Sequence, residues 1–169
     1  VIEAFWTKFL PIYREVERRV GSGMLGEVKL VTAQYGYKTT REARKFDPAL
    51  AGGALLDIGV YCIGFAAMVL GYAPLDVQAA MLLNDAGTDA YDAVTLAYDG
   101  ALAQLTSAIG AQMPVFASIY GTKGRIEIPE FKNPQRFVTY IDGKEPDAFD
   151  LPFQVNGYEY QMLEAQACL

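Results

Sequence analysis

Val94-Thr95-Leu96-Ala97-Tyr98-Asp99-Gly100-Ala101-Leu102-Ala103-Gln104-Leu105-Thr106 is the stretch that decides the fold class. Two runs of β-favouring residues flank an Asp-Gly pair, and a two-residue hairpin loop needs positive φ, which glycine adopts without steric cost. Asp142-Gly143 is a second turn of this kind, and Gly121-Thr122-Lys123-Gly124 joins two further runs. Strands are predicted at residues 77–83, 93–98, 102–109, 116–120, 125–128 and 137–141, and an antiparallel meander is the economical way to connect them.

Upstream the periodicity changes. Ile12, Val16 and Val20 fall at i, i+4 and i+8 behind Pro11, which suits a first helical turn, and Gly21 and Gly23 end the pattern. Residues 27–37 are rich in Val, Leu, Thr and Tyr and predict a strand covered in part on both faces. Residues 38–50 turn polar and basic, with Arg41, Arg44 and Lys45, and predict a loop or a short irregular helix. Residues 54–70, apolar on nearly every side and closed by Gly71, predict a buried helix. Residues 1–4 read as a strand, and residues 158–168 as a helix broken off by the end of the chain.

Helices followed by hairpin-linked strands predict one α+β domain over residues 1–169: a predominantly antiparallel open sheet with helices packed on one face. In residues 94–98 and 102–106 both alternating sets are only weakly polar, so a second chain is expected to cover the other face.

Composition narrows the partners. A formal net charge of -6, with no Lys/Arg block, offers no positive field for a phosphate backbone or an anionic membrane, so neither nucleic acid nor membrane is expected. Apolar stretches such as residues 65–70 are interrupted early, so no bilayer span is expected either. Cys62 and Cys168 lack metal-ligand spacing and read as reduced thiols of a cytoplasmic protein; no metal site is predicted. The chain has no histidine, so proton transfer falls to another residue type.

Gly52-Gly53-Ala54-Leu55-Leu56-Asp57-Ile58-Gly59-Val60-Tyr61 is the strongest candidate for chemistry. On a helix Asp57 and Tyr61 are i, i+4 neighbours, so a carboxylate and a phenol share one face, and the missing side chain of Gly59 leaves room for another molecule to approach. The competing reading has Asp57 capping the helix start and Tyr61 as a half-buried aromatic. A phenol near its ordinary value is a poor proton carrier at neutral pH without a neighbouring cation, which this segment does not contain. Arg44 and Lys45 are candidate donors to a polyol, with Phe46 as an apolar wall, or else a solvated basic loop. Gly121 to Gly124 lies between strands and reads as a hairpin, not as a phosphate cradle.

Several segments in order carry a resemblance: Glu3-Ala4-Phe5-Trp6-Thr7-Lys8-Phe9-Leu10-Pro11, then Gly23-Met24-Leu25-Gly26-Glu27-Val28, then Phe46-Asp47-Pro48 running into the Gly52 to Tyr61 block, then Gly121 to Gly124. Together they resemble the C-terminal domain of the glucose-fructose oxidoreductase (Gfo/Idh/MocA) family. The similarity is greatest to the branch of dimeric dihydrodiol dehydrogenases and NADP-dependent D-xylose dehydrogenases. The resemblance implies a substrate-binding and dimerisation domain joined, through residues 1–6, to a Rossmann domain, with NADP or NAD as cofactor. It implies hydride transfer at a sugar or diol carbinol carbon, with Tyr61 in the acid/base position that is histidine in many relatives, and Asp57 beside it. It places Trp6 and Lys8 along the nicotinamide pocket and assigns the cationic partner to a lysine of a Glu-Lys-Pro motif in the Rossmann domain. That motif is absent from this sequence, as is a Gly-rich phosphate loop with its strand. A fragment of this kind is expected to be inactive alone. A non-catalytic oligomerisation or carbohydrate-binding module of the same fold stays open beside the enzyme.

Overall fold

A computed structural model describes residues 5–39 and 43–169; residues 1–4 and Arg41 lie outside the described residues. A single 3-10 turn (Trp6–Phe9) leads into α1 (Ile12–Gly21), which buries Ile12 and Val16 of the predicted stripe together with Tyr13, while Val20 of that stripe is half-buried. β1 (Val28–Gly36) follows, then two 3-10 turns (Ala43–Phe46 and Pro48–Leu50), a π-helical turn (Leu55–Gly59) and α2 (Val60–Leu70). The rest is β2 (Asp76–Leu83), β3 (Asp89–Tyr98), β4 (Ala101–Ala108), β5 (Met113–Gly121), β6 (Gly124–Pro129), β7 (Arg136–Ile141), β8 (Asp147–Asp150) and α3 (Glu159–Ala167).

The eight strands form one sheet in the order β2-β3-β4-β1-β5-β6-β7-β8. The predicted meander is interrupted at its centre, where β1 enters between β4 and β5, parallel to the first and antiparallel to the second. The reason lies in β1 itself. Its apolar residues suit a central position, and the parallel pairing with β4 is reached through the long crossover that contains α2. Asp99-Gly100 makes the tight β3–β4 loop with Gly100 at φ 73. β8 was not expected, because its four residues Asp-Ala-Phe-Asp form too short and polar a run to read as a strand.

One face of the sheet carries the core. Val31 and Ala33 of β1, Leu105 of β4 and Ile119 of β5 pack with Tyr13 and Val16 of α1 and with Cys62, Phe65 and Ala66 of α2. The opposite face presents a cross-strand row, Thr95–Gln104–Thr32–Ser118–Glu127, flanked by exposed Leu82, Tyr91, Leu102 and Tyr120.

Two expectations are corrected here. The 23 residues Pro48–Leu70 are long and apolar enough to cross a membrane, although no such stretch was expected. In the fold the segment is broken by left-handed Ala51 and by Gly53 at φ 121, and it buries Ala54, Ile58, Cys62, Phe65 and Ala66, which is the use a core helix makes of apolarity. Gly59, moreover, gives room to the sheet and not to a ligand, since a Cβ there would lie 2.7 Å from Ser107 Oγ of β4. Gly21, Gly23 and Gly26 do fall at Gly-x-Gly-x-x-Gly spacing, but they run from α1 into β1. Helix to strand is the reverse of the order a dinucleotide site requires.

Candidate active site

Gly52 and Gly53 explain how a basic loop reaches the π turn. The Gly52 N–H donates to Asp47 O (3.0 Å) and the Gly53 N–H to Lys45 O (2.9 Å), so residues 44–47 fold back over the start of the helical segment. A Cβ at Gly52 would lie 2.7–2.8 Å from three of that loop's carbonyl oxygens, and one at Gly53 would run into the Asp89 carboxylate. Asp89 Oδ2 in turn accepts from the Leu55 N–H at 2.6 Å, so it is Asp89, not Asp57, that ties down the first turn. At the far end of that turn the Val60 N–H reaches back to Leu55 O, the five-residue step of a π bulge, a feature often found at functional sites.

Asp57 is thereby free to face the basic loop. Its Oδ1 pairs with Arg44 Nη2 (3.2 Å), and its Oδ2 pairs with Lys45 Nζ (3.2 Å) and accepts from the Tyr37 hydroxyl. Lys45 also donates to the Tyr37 oxygen and lies 4.4 Å from that ring's centroid. Burial first, and then the bond to Asp57, push the Tyr37 phenol up to about 12, so Tyr37 keeps its proton and donates it to the carboxylate. A carboxylate with three donors is a fixed negative anchor and an acceptor for further hydroxyls.

Tyr61, on the first turn of α2, opens into a cleft of about 340 Å³ shared with Asp57, Lys45 and Tyr37. Tyr35 stands edge-on to it at 6.2 Å between ring centroids, and Phe5 lies at 5.7 Å on another side. Among the described residues no hydrogen bond joins Asp57 to Tyr61; the cleft is what they have in common. Burial raises the Tyr61 phenol above its ordinary value, while hydrogen bonding by the Trp6 indole and the charge of Lys132 oppose that rise. Trp6 stacks on Tyr158 at 4.2 Å and with it forms a flat wall of the cleft. That stack depends on Gly157 (φ 92), where a Cβ would lie 2.8 Å from the indole, and on Glu159, whose carboxylate accepts from the N–H groups of Val155, Asn156 and Gly157.

Of the residues singled out from sequence, Asp57, Tyr61 and Trp6 line this cleft and Arg44 stands at its rim. Lys8 does not join them. In a 3-10 turn residues two apart point away from each other, so Lys8 faces a separate hollow near α1 and α3 and lies 5.7 Å from the Tyr72 ring centroid. Phe46 packs into a small satellite core with Ala54, Ile58 and Ile109 and is not a wall of the cleft. Sequence reasoning missed Tyr35, Tyr37, Lys132 and Tyr158, which come from three segments distant in the chain. Two hollows elsewhere, of about 510 Å³ beside Lys8 and about 460 Å³ on the open sheet face, are larger but gather no comparable set of phenols and cations.

Residues 13–127 match the model of the GFO/IDH/MocA C-terminal domain, more than half of the chain. This chain belongs to that family. A GFO/IDH/MocA relative, the trans-1,2-dihydrobenzene-1,2-diol dehydrogenase of Xenopus tropicalis, is 36% identical over 180 residues, covering 100% of this chain and 54% of its own length. The GFO/IDH/MocA fold recurs in an aldose-aldose oxidoreductase from Caulobacter crescentus solved with glycerol (TM-score 0.85, 25% identity, covering 98% of this chain and 52% of that one). It recurs also in a 3-ketoreductase from Actinomadura kijaniata solved with NADP and TDP-benzene (TM-score 0.83, 25% identity, 99% and 54%). The chain spans about half the length of the curated relatives it matches.

Proposed function

We propose that this chain is the substrate and oligomerisation domain of a nicotinamide-dependent oxidoreductase, which passes a hydride between the cofactor and a hydroxyl-bearing carbon of a sugar or trans-dihydrodiol. The observation that carries the reading is the Tyr61 phenol opening into an aromatic-walled cleft beside the anchored Asp57, in a chain of this family. The share of its relatives that the chain spans supports a second, nucleotide-binding domain packed across that cleft.

The residues present fit one end of such a cofactor and not the other. Exposed Tyr158, backed by the buried Trp6 indole, offers an aromatic surface that a nicotinamide ring can lie against, whereas Gly21 to Gly26 runs from helix to strand and supplies no pyrophosphate cradle. The cofactor, NADP or NAD, supplies the hydride acceptor or donor when bound. This chain's own part is to bind, orient and exchange a proton. The aromatic wall takes the apolar face of a sugar ring or of a cyclohexadiene diol, and Asp57 accepts from a substrate hydroxyl. Tyr61 then takes the carbinol proton in oxidation or returns it in reduction.

A homodimer through the open sheet face belongs to the same proposal. In a two-fold contact a patch meets itself, and the centre of this face, from Thr95 through Gln104 and Thr32 to Ser118, is uncharged and so meets its copy without repulsion. The stacked Trp6–Tyr158 pair also suits a non-catalytic carbohydrate-binding module. In the full-length protein, Tyr61→Phe is expected to lower kcat at least about 100-fold, the usual weight of a positioned acid/base, and to leave cofactor affinity, read by NADPH fluorescence, unchanged. Turnover near that of the unmodified protein would remove Tyr61 from proton transfer, whereas an unmodified full-length protein without turnover would decide for the module.

A further inference from the structure

The family resemblance assigns the cation that Tyr61 needs to a lysine outside this chain, yet the cleft holds two lysines of its own. Lys45 is committed to Asp57 and Tyr37. Lys132 is different: among the described residues it forms no ion pair, its Nζ donates to the Tyr35 hydroxyl at 3.2 Å, and it lies 5.3 Å from that ring's centroid.

The loop that carries Lys132 is built to hold it. Glu130, at φ 50, takes a left-handed conformation that costs a non-glycine residue energy, and its N–H donates to Val115 O at 2.7 Å. Buried Thr7 donates its hydroxyl to Lys132 O at 2.6 Å, and buried Tyr13 donates to Phe131 O. The fully buried Phe131 ring meets Phe65 edge-on at 5.5 Å, and Phe65 is one helical turn beyond Tyr61 on α2. The loop is thus clamped from α1, β5 and the Trp6 turn and docked on the same helix as the phenol. Lys132 also lies beyond the segment that matches the family model.

We propose that Lys132 is a positioning residue for Tyr61, the cation this chain itself supplies, its ammonium held on the Tyr35 hydroxyl within the cleft into which the phenol opens. The inference rests on the reading of Tyr61 as the proton carrier. The titratable or charged groups facing that phenol are Lys132 from the β6–β7 loop, Tyr35 from β1 and Tyr37 just beyond it, Asp57 from the π turn, Lys45 from the basic loop and Tyr158 ahead of α3. Of these, only Lys132 brings a positive charge that no carboxylate offsets. In alcohol oxidation Tyr61 must accept a proton, so a cation that favours the phenolate extends activity toward lower pH. In carbonyl reduction, where the phenol gives a proton up, the effect at neutral pH is small.

The test is kcat/KM against pH for oxidation of D-xylose with NADP by the full-length protein, comparing Lys132→Gln, Lys132→Met, Lys132→Arg and Tyr61→Phe. For Lys132→Gln and Lys132→Met the alkaline rise is expected to move up by about one pH unit, a loss of about tenfold near pH 7, with NADPH affinity unchanged. Lys132→Arg restores the profile. Profiles for both neutral variants that superimpose on the original, or that show only a raised KM or a lower melting temperature, overturn the role of Lys132 while an inactive Tyr61→Phe leaves the reading of Tyr61 standing. Full turnover by Tyr61→Phe removes both.

Discussion

Asp92 shows how much a single buried group can matter. It lies on β3 facing the helices, almost fully buried; Ser107 donates to its Oδ2 at 2.8 Å, and its Oδ1 has no partner among the described residues. Burial first, and then the neighbouring Asp89 carboxylate, push it up to about 6 against the partial opposition of Ser107. A folded-state value above that of the unfolded chain means that the protonated carboxyl favours folding. That contribution is fully present below about pH 4 and is lost as pH rises through about 6. Asp92→Asn keeps the shape and removes the titration. The variant's melting temperature should equal that of the unmodified protein at pH 4 and exceed it by about 2–4 °C at pH 8. A constant difference across that range would count against the assignment. At this scale the sequence was informative about Asp57 and Tyr61, whose spacing alone suggested a shared face. It was silent about Tyr35, Tyr37 and Lys132, because a tyrosine in a strand and a lysine in a loop look the same whether or not they meet anything.

Among the elements, the π turn and its glycines set the geometry of the site. Gly53 combines φ 121 with contact against the Asp89 carboxylate that anchors Leu55, so Gly53→Ala both strains the backbone and pushes that anchor away. Gly71, at φ 98 and with open space for 4 Å around the position a Cβ would take, suffers the strain alone. Both substitutions should cost about 1–3 kcal/mol in thermal or urea melts. Only Gly53→Ala should also lower kcat/KM, because the segment carrying Asp57 and Tyr61 shifts with it. Equal effects of the two on kcat/KM would show that Asp89 plays no part in aligning the site. The helical character of residues 54–70 was legible from composition, whereas the π turn was not. It arises from how the segment fits beneath β4 at Gly59 and against the basic loop at Gly52.

For the whole molecule, the bare sheet face is the feature that asks for a partner. Gln104 is exposed at the middle of the uncharged row, so Gln104→Arg sets like charges against each other across a two-fold contact and leaves the core untouched. Sedimentation velocity should then show a shift from dimer to monomer with little change in melting temperature; an unaltered dimer would place the contact elsewhere. What the sequence determined by itself was local. Alternation, Asp-Gly turns and the i, i+4 stripe of α1 depend on neighbours a few residues apart, and seven predicted strands and three predicted helical segments stand in the structure. Tertiary structure alone decided the non-local pairings. It seated β1 between β4 and β5 and drew Lys132 onto the Tyr35 hydroxyl in the cleft that Tyr61 lines, carried Tyr158 onto Trp6, and turned Lys8 away from the cleft. Each of these depends on which buried surfaces satisfy one another across a hundred or so residues of chain, and that is a property of the packed molecule which no short window of sequence contains.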